Sequence, residues 1–357
     1  MMQIGTPEPI AALNRVIIRE YVRPWEERET LVDIRAYCPG VVCNEGICPY
    51  LRRTVADRLN HAQNSLPPDY RLKVGTALRT LSMQKRGWDG YYKRMQEEHP
   101  DWPFSALRRA TNKYHAPYDQ KAPPGHCTGG AVDVGLLDPE GNALDMVAPT
   151  QGWDAVDTFS DKISPEARAN RMLMVEAMLG AGFSNCRDEY WHYSWGDSAW
   201  AVRVGESECP YGWTHAPITL ETDFPGASAS DLHVEFERNK EGKPTQAHGR
   251  CTFAPDAERL PNGHPLLAVG LYWARDIPVS LRLALPPGTD PNLSLWMGNG
   301  KDVWEPLTTR AFIEKNEQNA NAEDHLRLHI EPTFDRAVLT TRPPDAQMCQ
   351  PKTVDKQ

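Results

Sequence analysis

A chain of 357 residues is long enough for one large or two ordinary domains, each with its own buried core. With 40% hydrophobic and 24% charged residues it has the balance of a globular protein, and its formal charge of −9 argues against a nucleic-acid binder, which needs a basic surface. Glu8, Arg15, Arg19 and Glu20 interrupt the apolar residues of the first segment, so no secretory signal is expected, and no stretch is long enough to cross a bilayer. A cytoplasmic protein with its eight cysteines as free thiols is the expectation.

In chain order, a short strand is expected around Leu31–Arg35. Cys38, Cys43 and Cys48 then recur at five-residue spacing in a loop; this matches none of the common zinc patterns, so they read as loop thiols. Leu51, Val55 and Leu59 are four apart and predict a helix over 51–63, while the alternation of 70–78 predicts a strand ending in a loop. Helices follow over 82–95 and 103–113, then a loop rich in proline over 116–125. Ala131–Leu137 reads as a strand, with 138–142 as a turn and Ala143–Val147 as its returning hairpin partner. Ser164 as cap and Pro165 in the first turn begin a helix that Gly180 ends.

The character changes past residue 205. Residues 206–230, including the Pro-, Gly- and Ser-bearing 224–230, read as a linker, and alternating runs at 232–237, 281–285 and 326–330 predict a β-rich, sandwich-like domain over 231–342. Its histidines (His215 just before it, then His233, His248, His264, His325 and His329) are scattered without ligand spacing, and the tail 343–357 reads as disordered.

Two distant stretches carry the chemistry. His126 and Asp133 are seven apart across the pair Gly129-Gly130, and Glu189 precedes His192 by three. Two imidazoles and a carboxylate can hold zinc while leaving a fourth position for water. On a straight strand an odd separation puts side chains on opposite faces, so His126 and Asp133 reach one metal only if the glycines bend the chain. A carboxylate beside a ligand can serve as the base of a metal-assisted hydrolysis. Either histidine alone reads as an ordinary core or surface residue; the combination carries the signal. The helical H-E-x-x-H arrangement is absent.

His126-x-x-Gly129-x-Ala131-x-Asp133 followed by Glu189-Tyr190-Trp191-His192 resembles the signature of the zinc D-alanyl-D-alanine dipeptidases, relatives of the D,D-carboxypeptidases and of hedgehog-type zinc domains. The flanks Gly182–Asn185 and Tyr193–Trp200 look like the dipeptidase branch, and the resemblance covers roughly residues 25–203. It implies His126, Asp133 and His192 as ligands of one zinc ion per chain, Glu189 as general base, and Arg79, in Leu78–Gln84, as the group that stabilises the oxyanion. It implies Asp154 as the anchor of the substrate ammonium, with Asp157 as the fallback. Tyr37 falls one place late for a family tyrosine, Pro124 stands where the family often has a substrate-binding serine, and Cys127 is incidental.

The expectation is therefore an α+β fold: a small antiparallel sheet with flanking helices over residues 1–205, carrying a zinc site that hydrolyses a D-Ala-D-Ala-like dipeptide, plus the β-rich appendage, whose partner the sequence does not name. The substrate partner is a small peptide, with neither nucleic acid nor membrane involved. The alternatives are a D,D-carboxypeptidase or other cell-wall endopeptidase, and a zinc-bearing binding module without activity.

Overall fold

Short elements dictated by local chemistry open the chain: β1 (Ile4–Gly5), α1 (Ile10–Leu13) and β2 (Ile17–Ile18), then a 3-10 turn at Arg19–Val22. The structure is a computed structural model, and it describes residues 4–5, 8–24, 27–221, 229–240 and 243–253, then the segments 268–272, 278–284, 296–298, 304–306, 312–314, 325–330 and 336–340. It divides into two units, Met1–Ala216 with Lys240–Gly242, and Pro217–Asn239 with Lys243–Gln357.

The strand expected at 31–35 stops at β3 (Leu31–Asp33), because the Asp33 carboxylate accepts the Arg35 amide (2.9 Å) and caps one helical turn, α2 (Ile34–Tyr37). β4 (Val42–Cys43) and β5 (Tyr50–Arg52) follow; β5 pairs with β3, so α3 (Arg53–Ser65) starts later than the periodicity suggests. Val55, Ala56, Leu59 and Ala62 form its buried face. β6 (Arg71–Thr76) buries Leu72 and Val74 as its alternation requires. α4 (Leu81–Glu98), capped by Thr80, packs against α5 (Phe104–Tyr114) through the Trp88 Nε1 bond to Asn112 Oδ1 (2.8 Å).

β7 (Ala131–Leu137) enters the expected turn at 138–142, where Asp138 accepts the Asn142 amide (2.7 Å). The returning segment makes a single bridge, Leu137 to Ala143. It leaves the sheet because Asp145 Oδ1 takes the amides of Val147 (2.8 Å) and Ala148 (3.0 Å) and bends the chain away. α6 (Pro165–Gly180) has its expected cap, Ser164, and its left-handed residue is Gly182 (φ 86°). β8 (Ser184–Cys186), β9 (His192–Ser194), α7 (Ser198–Val204) and β10 (Glu208–Cys209) complete unit 1.

The main sheet has the order β1-β8-β9-β7-β6-β4, antiparallel from β8 to β6 and parallel at both edges. Helices α3 and α6 cover one face; Leu59, Val74, Val132, Val134, Met174 and Tyr193 share that core. The fold is thus mixed α and β, consistent with α+β. Residues 206–216, expected in a linker, pack into unit 1, where Tyr211 and Trp213 are buried. The cysteines among the described residues, Cys38, Cys43 and Cys48 included, form no disulfide. Burial pushes the Cys38 thiol up to about 12, so it stays protonated and inert.

Unit 2 begins with β11 (Thr219–Glu221), β12 (Ala229–Arg238), β13 (Pro244–Phe253), β14 (Ala268–Tyr272) and β15 (Val279–Ala284). β16 (Trp296–Gly298), β17 (Trp304–Pro306), β18 (Phe312–Glu314), β19 (His325–Ile330) and β20 (Arg336–Thr340) complete it. These strands form two five-stranded sheets, β11-β14-β20-β16-β17 and β12-β13-β15-β19-β18. Of the linker expected at 224–230, residues 224–228 lie outside the described residues and 229–230 start β12; the tail 343–357 and His264 also lie outside. No helix among the described residues is long and apolar enough to cross a membrane.

Three carboxylates near the amino terminus partner buried groups of unit 1. Glu8 pairs with Arg203 (2.6 Å), Glu20 with Arg52 (2.8 Å), and Glu29 accepts from Tyr211 Oη (2.6 Å). Glu20 also accepts the Gly212 amide (2.8 Å), and burial nevertheless raises its pKa above the ordinary carboxylate value of 4.5. Arg52→Met is expected to cost about 3–5 kcal/mol near neutral pH, since it strands a buried carboxylate. A carboxyl whose folded pKa is raised adds stability below its unfolded pKa and loses it as pH rises through the folded value, so the cost of Arg52→Met should shrink on acidification. Urea unfolding of both proteins at several pH values measures this.

Candidate metal centre and active site

His126 sits in a 3-10 turn, Gly125–Thr128, and the chain reverses at Gly129, whose φ of 72° is the left-handed conformation that glycine tolerates best. Gly130 must also lack a side chain: a Cβ there would lie 2.8 Å from both Thr128 Oγ1 and the Trp195 carbonyl. The bend that the seven-residue spacing demanded is therefore present. Thr128 Oγ1 locks it, donating to the Gly125 carbonyl (2.6 Å) and accepting the Gly130 amide (2.9 Å). Arg52 holds it from outside, with Nε on the Thr128 carbonyl (2.8 Å) and its amide on that of Gly129 (3.0 Å).

Asp133 lies on β7 directly opposite His192 on β9. Its Oδ1 is 2.9 Å from His192 Nδ1 and 3.1 Å from His126 Nε2, and the two nitrogens are 3.2 Å apart. His126 Nδ1 is 2.9 Å from the Ala77 carbonyl, which can only accept; in the neutral ring Nδ1 carries the proton and Nε2 presents a lone pair. Two acceptor atoms 3.1 Å apart repel unless a cation lies between them. The spacings also approach the edge of roughly 3.3 Å expected between donors around a tetrahedral zinc. The donor set fits a divalent zinc ion, and it is the single such cluster among the described residues. Burial pushes the Asp133 carboxyl up, but the charge and hydrogen bonds of His126 and His192 outweigh it and hold the group well below the usual carboxylate range. Burial lowers the His192 pKa, whereas Asp133 and then Glu189 raise it; the net direction is upward.

Glu189 is half-buried on the turn that delivers His192, whose amide donates to the Glu189 carbonyl (3.0 Å). Asn185 Nδ2 clamps this turn, donating to the carbonyls of Glu189 (3.2 Å) and His192 (3.0 Å). Arg79 follows β6, and its amide donates to the His126 carbonyl (3.0 Å), tying it to the ligand turn. Its Nη1 donates to Gln84 Oε1 (3.0 Å), and Gln84 Nε2 donates to the Ala116 carbonyl (2.7 Å). Burial and the Arg79 charge lower the pKa of His115.

Asp154 stands apart from the ligand cluster's contacts: its side chain is 70% exposed and paired with Lys162 (2.9 Å). Asp157 is half-buried, with Oδ2 at 3.3 Å from Arg187 Nε. Their segment lies against the Glu189 turn, since the Tyr190 amide donates to the Val156 carbonyl (3.0 Å) and Thr158 Oγ1 to Asn185 Oδ1 (2.8 Å). Cys127 is buried, and Tyr37 Oη donates to Asp57 (2.6 Å). Sequence reasoning did not single out Arg52 or Gln84, nor a role for Asn185; all three act largely on backbone carbonyls or on other side chains, which leaves no spacing to read.

With this geometry in place, comparison with known proteins shows what this part of the chain is similar to. Residues 88–209, within unit 1, match the model of a peptidase family described as D-ala-D-ala dipeptidase. The match spans His126, Asp133, Glu189 and His192 and begins after Arg79. Among particular relatives, the chain is 29% identical over 187 residues to a D-alanyl-D-alanine dipeptidase of Synechocystis sp., covering 45% of this chain and 76% of that one. It is 36% identical over 72 residues to a D-alanyl-D-alanine dipeptidase of Escherichia coli, covering 19% of this chain and 36% of that protein's length.

Asp133→Asn and His126→Ala are each expected to abolish retention of zinc by the purified protein. Metal analysis after dialysis checks this; undiminished zinc in both variants would exclude the cluster as the ligand set.

Proposed function

We propose that unit 1 is a zinc-dependent peptidase that hydrolyses a D-Ala-D-Ala-like dipeptide. The convergence of His126, Asp133 and His192, with Glu189 on the His192 turn, carries this reading; the family match around them supports it. Zinc, when bound by these three residues, supplies Lewis acidity and makes water acidic enough to attack near neutral pH. Glu189 takes the proton of the attacking water and passes it to the leaving amine. Arg79 donates to the oxygen on which negative charge develops, and Gln84 limits its reorganisation.

The substrate ammonium is assigned to the acidic pair Asp154 and Asp157. Lys162 competes for the Asp154 carboxylate at 2.9 Å and Arg187 for that of Asp157 at a longer 3.3 Å, while the Asp157 segment is bonded to the catalytic turn. Asp157→Asn is therefore expected to raise KM more than Asp154→Asn. The peptidase is placed in the cytoplasm, and the two sheets of unit 2 are read as a sandwich.

Glu189→Gln is expected to keep zinc and lower kcat about a hundredfold or more. Arg79→Ala should lower kcat about a hundred- to a thousandfold at unchanged metal content. D-Ala-D-Ala hydrolysis with and without chelator, run beside metal analysis, is the measurement. Cleavage of a cell-wall pentapeptide alone would favour a carboxypeptidase or endopeptidase; zinc retention with no hydrolysis at all would favour a binding module.

A further inference from the structure

Arg171, on α6, is fully buried, yet among the described residues its guanidinium makes no ion pair. Its hydrogen bonds go to backbone carbonyls of one loop: Nη1 to Asp157 (2.5 Å), and Nη2 to Ala155 (2.7 Å) and Met146. Its Cζ lies 4.1 Å above the ring of Tyr190, the residue after Glu189. The carbonyl between, that of Val156, accepts the Tyr190 amide (3.0 Å). Three consecutive carbonyls are thus gathered alternately by Arg171 and by the catalytic turn.

An apolar side chain would fill the same space without desolvating a charge, so the cation is retained for what it holds. A planar guanidinium with five donors can collect carbonyls from separate turns and stack on a ring at once; an ammonium cannot. We propose that Arg171 is a positioning residue that sets the ammonium-binding loop against the Glu189 turn, acting on substrate through Asp157. This rests on the reading that Asp157 receives the substrate amine. Arg171 grips the Asp157 backbone and does not itself occupy the carboxylate, whose Oδ1 accepts the Phe159 amide (2.8 Å) and whose Oδ2 has the long contact to Arg187 (3.3 Å) to exchange for a substrate cation. Its stack on Tyr190 sets that carboxylate against the catalytic turn. Loss of the grip should weaken amine recognition and leave the zinc ligands, on β7, β9 and the Gly125–Thr128 turn, in place.

The test is a double-mutant cycle on D-Ala-D-Ala hydrolysis with Arg171→Lys, Asp157→Asn and the pair, with Arg171→Gln as a second variant and zinc content and circular dichroism recorded for each. Arg171→Lys is expected to raise KM about tenfold with kcat within about twofold and zinc retained. The double variant should be no worse than Asp157→Asn, because the two act through one contact. Multiplying effects, a fall in kcat at constant KM, or loss of zinc in Arg171→Lys or Arg171→Gln would reduce Arg171 to a general scaffold residue and overturn the proposal. If Asp157→Asn leaves KM unchanged while Arg171→Lys raises it, the amine assignment has failed; if only Asp157→Asn raises KM, Arg171 has.

Discussion

Everything in unit 1 is arranged around the direct opposition of Asp133 and His192 on neighbouring strands. Cross-strand partners lie about 5 Å apart at Cβ, close enough for two short side chains to share one ion. Pairing alone brings two candidate ligands together. The third arrives because the chain before β7 doubles back at Gly129, and His126 then faces them with its proton committed to the Ala77 carbonyl. Two acceptor atoms, Asp133 Oδ1 and His126 Nε2, held 3.1 Å apart are unfavourable without a cation between them, so the surrounding structure must impose their convergence.

It does so with buried side-chain donors aimed at carbonyl oxygens. Arg52 fixes the turn between His126 and Asp133, Arg171 the loop beside the Glu189 turn, and Asn185 the turn itself. Each is a polar group taken out of water and satisfied mainly by backbone acceptors. Such contacts position loops more firmly than apolar packing would, since both direction and distance are specified. The loops around the cluster can therefore be irregular in backbone yet fixed in place.

Much of this was legible in the residues. The paired motifs pointed to His126, Asp133 and His192, which the fold brings together, because ligand chemistry tolerates few side chains, and Gly129-Gly130 announced the bend because only glycine accepts its φ and crowding. Ser164-Pro165 marked a helix start, and the alternation of 70–78 marked β6. What could not be read were contacts made to backbone. Asp145 ended the expected hairpin through its bonds to two amides, and Asp33 turned a strand into a helical turn in the same manner. The assignment of 206–216 to a linker failed because Tyr211 and Trp213 are buried by contacts far away in sequence.

The pairing of Glu8 with Arg203, Glu20 with Arg52 and Glu29 with Tyr211 carries a consequence for dissection of the molecule. The stretch that matches the dipeptidase family begins at residue 88, yet it contains Arg203 without Glu8 and lacks β6, the neighbour of β7. An excised fragment with those limits would expose a sheet edge and bury a naked charge. A piece that keeps each of these partnerships must reach back at least to Glu8 and on to Tyr211, so the leading segment belongs to unit 1 as a structural girdle.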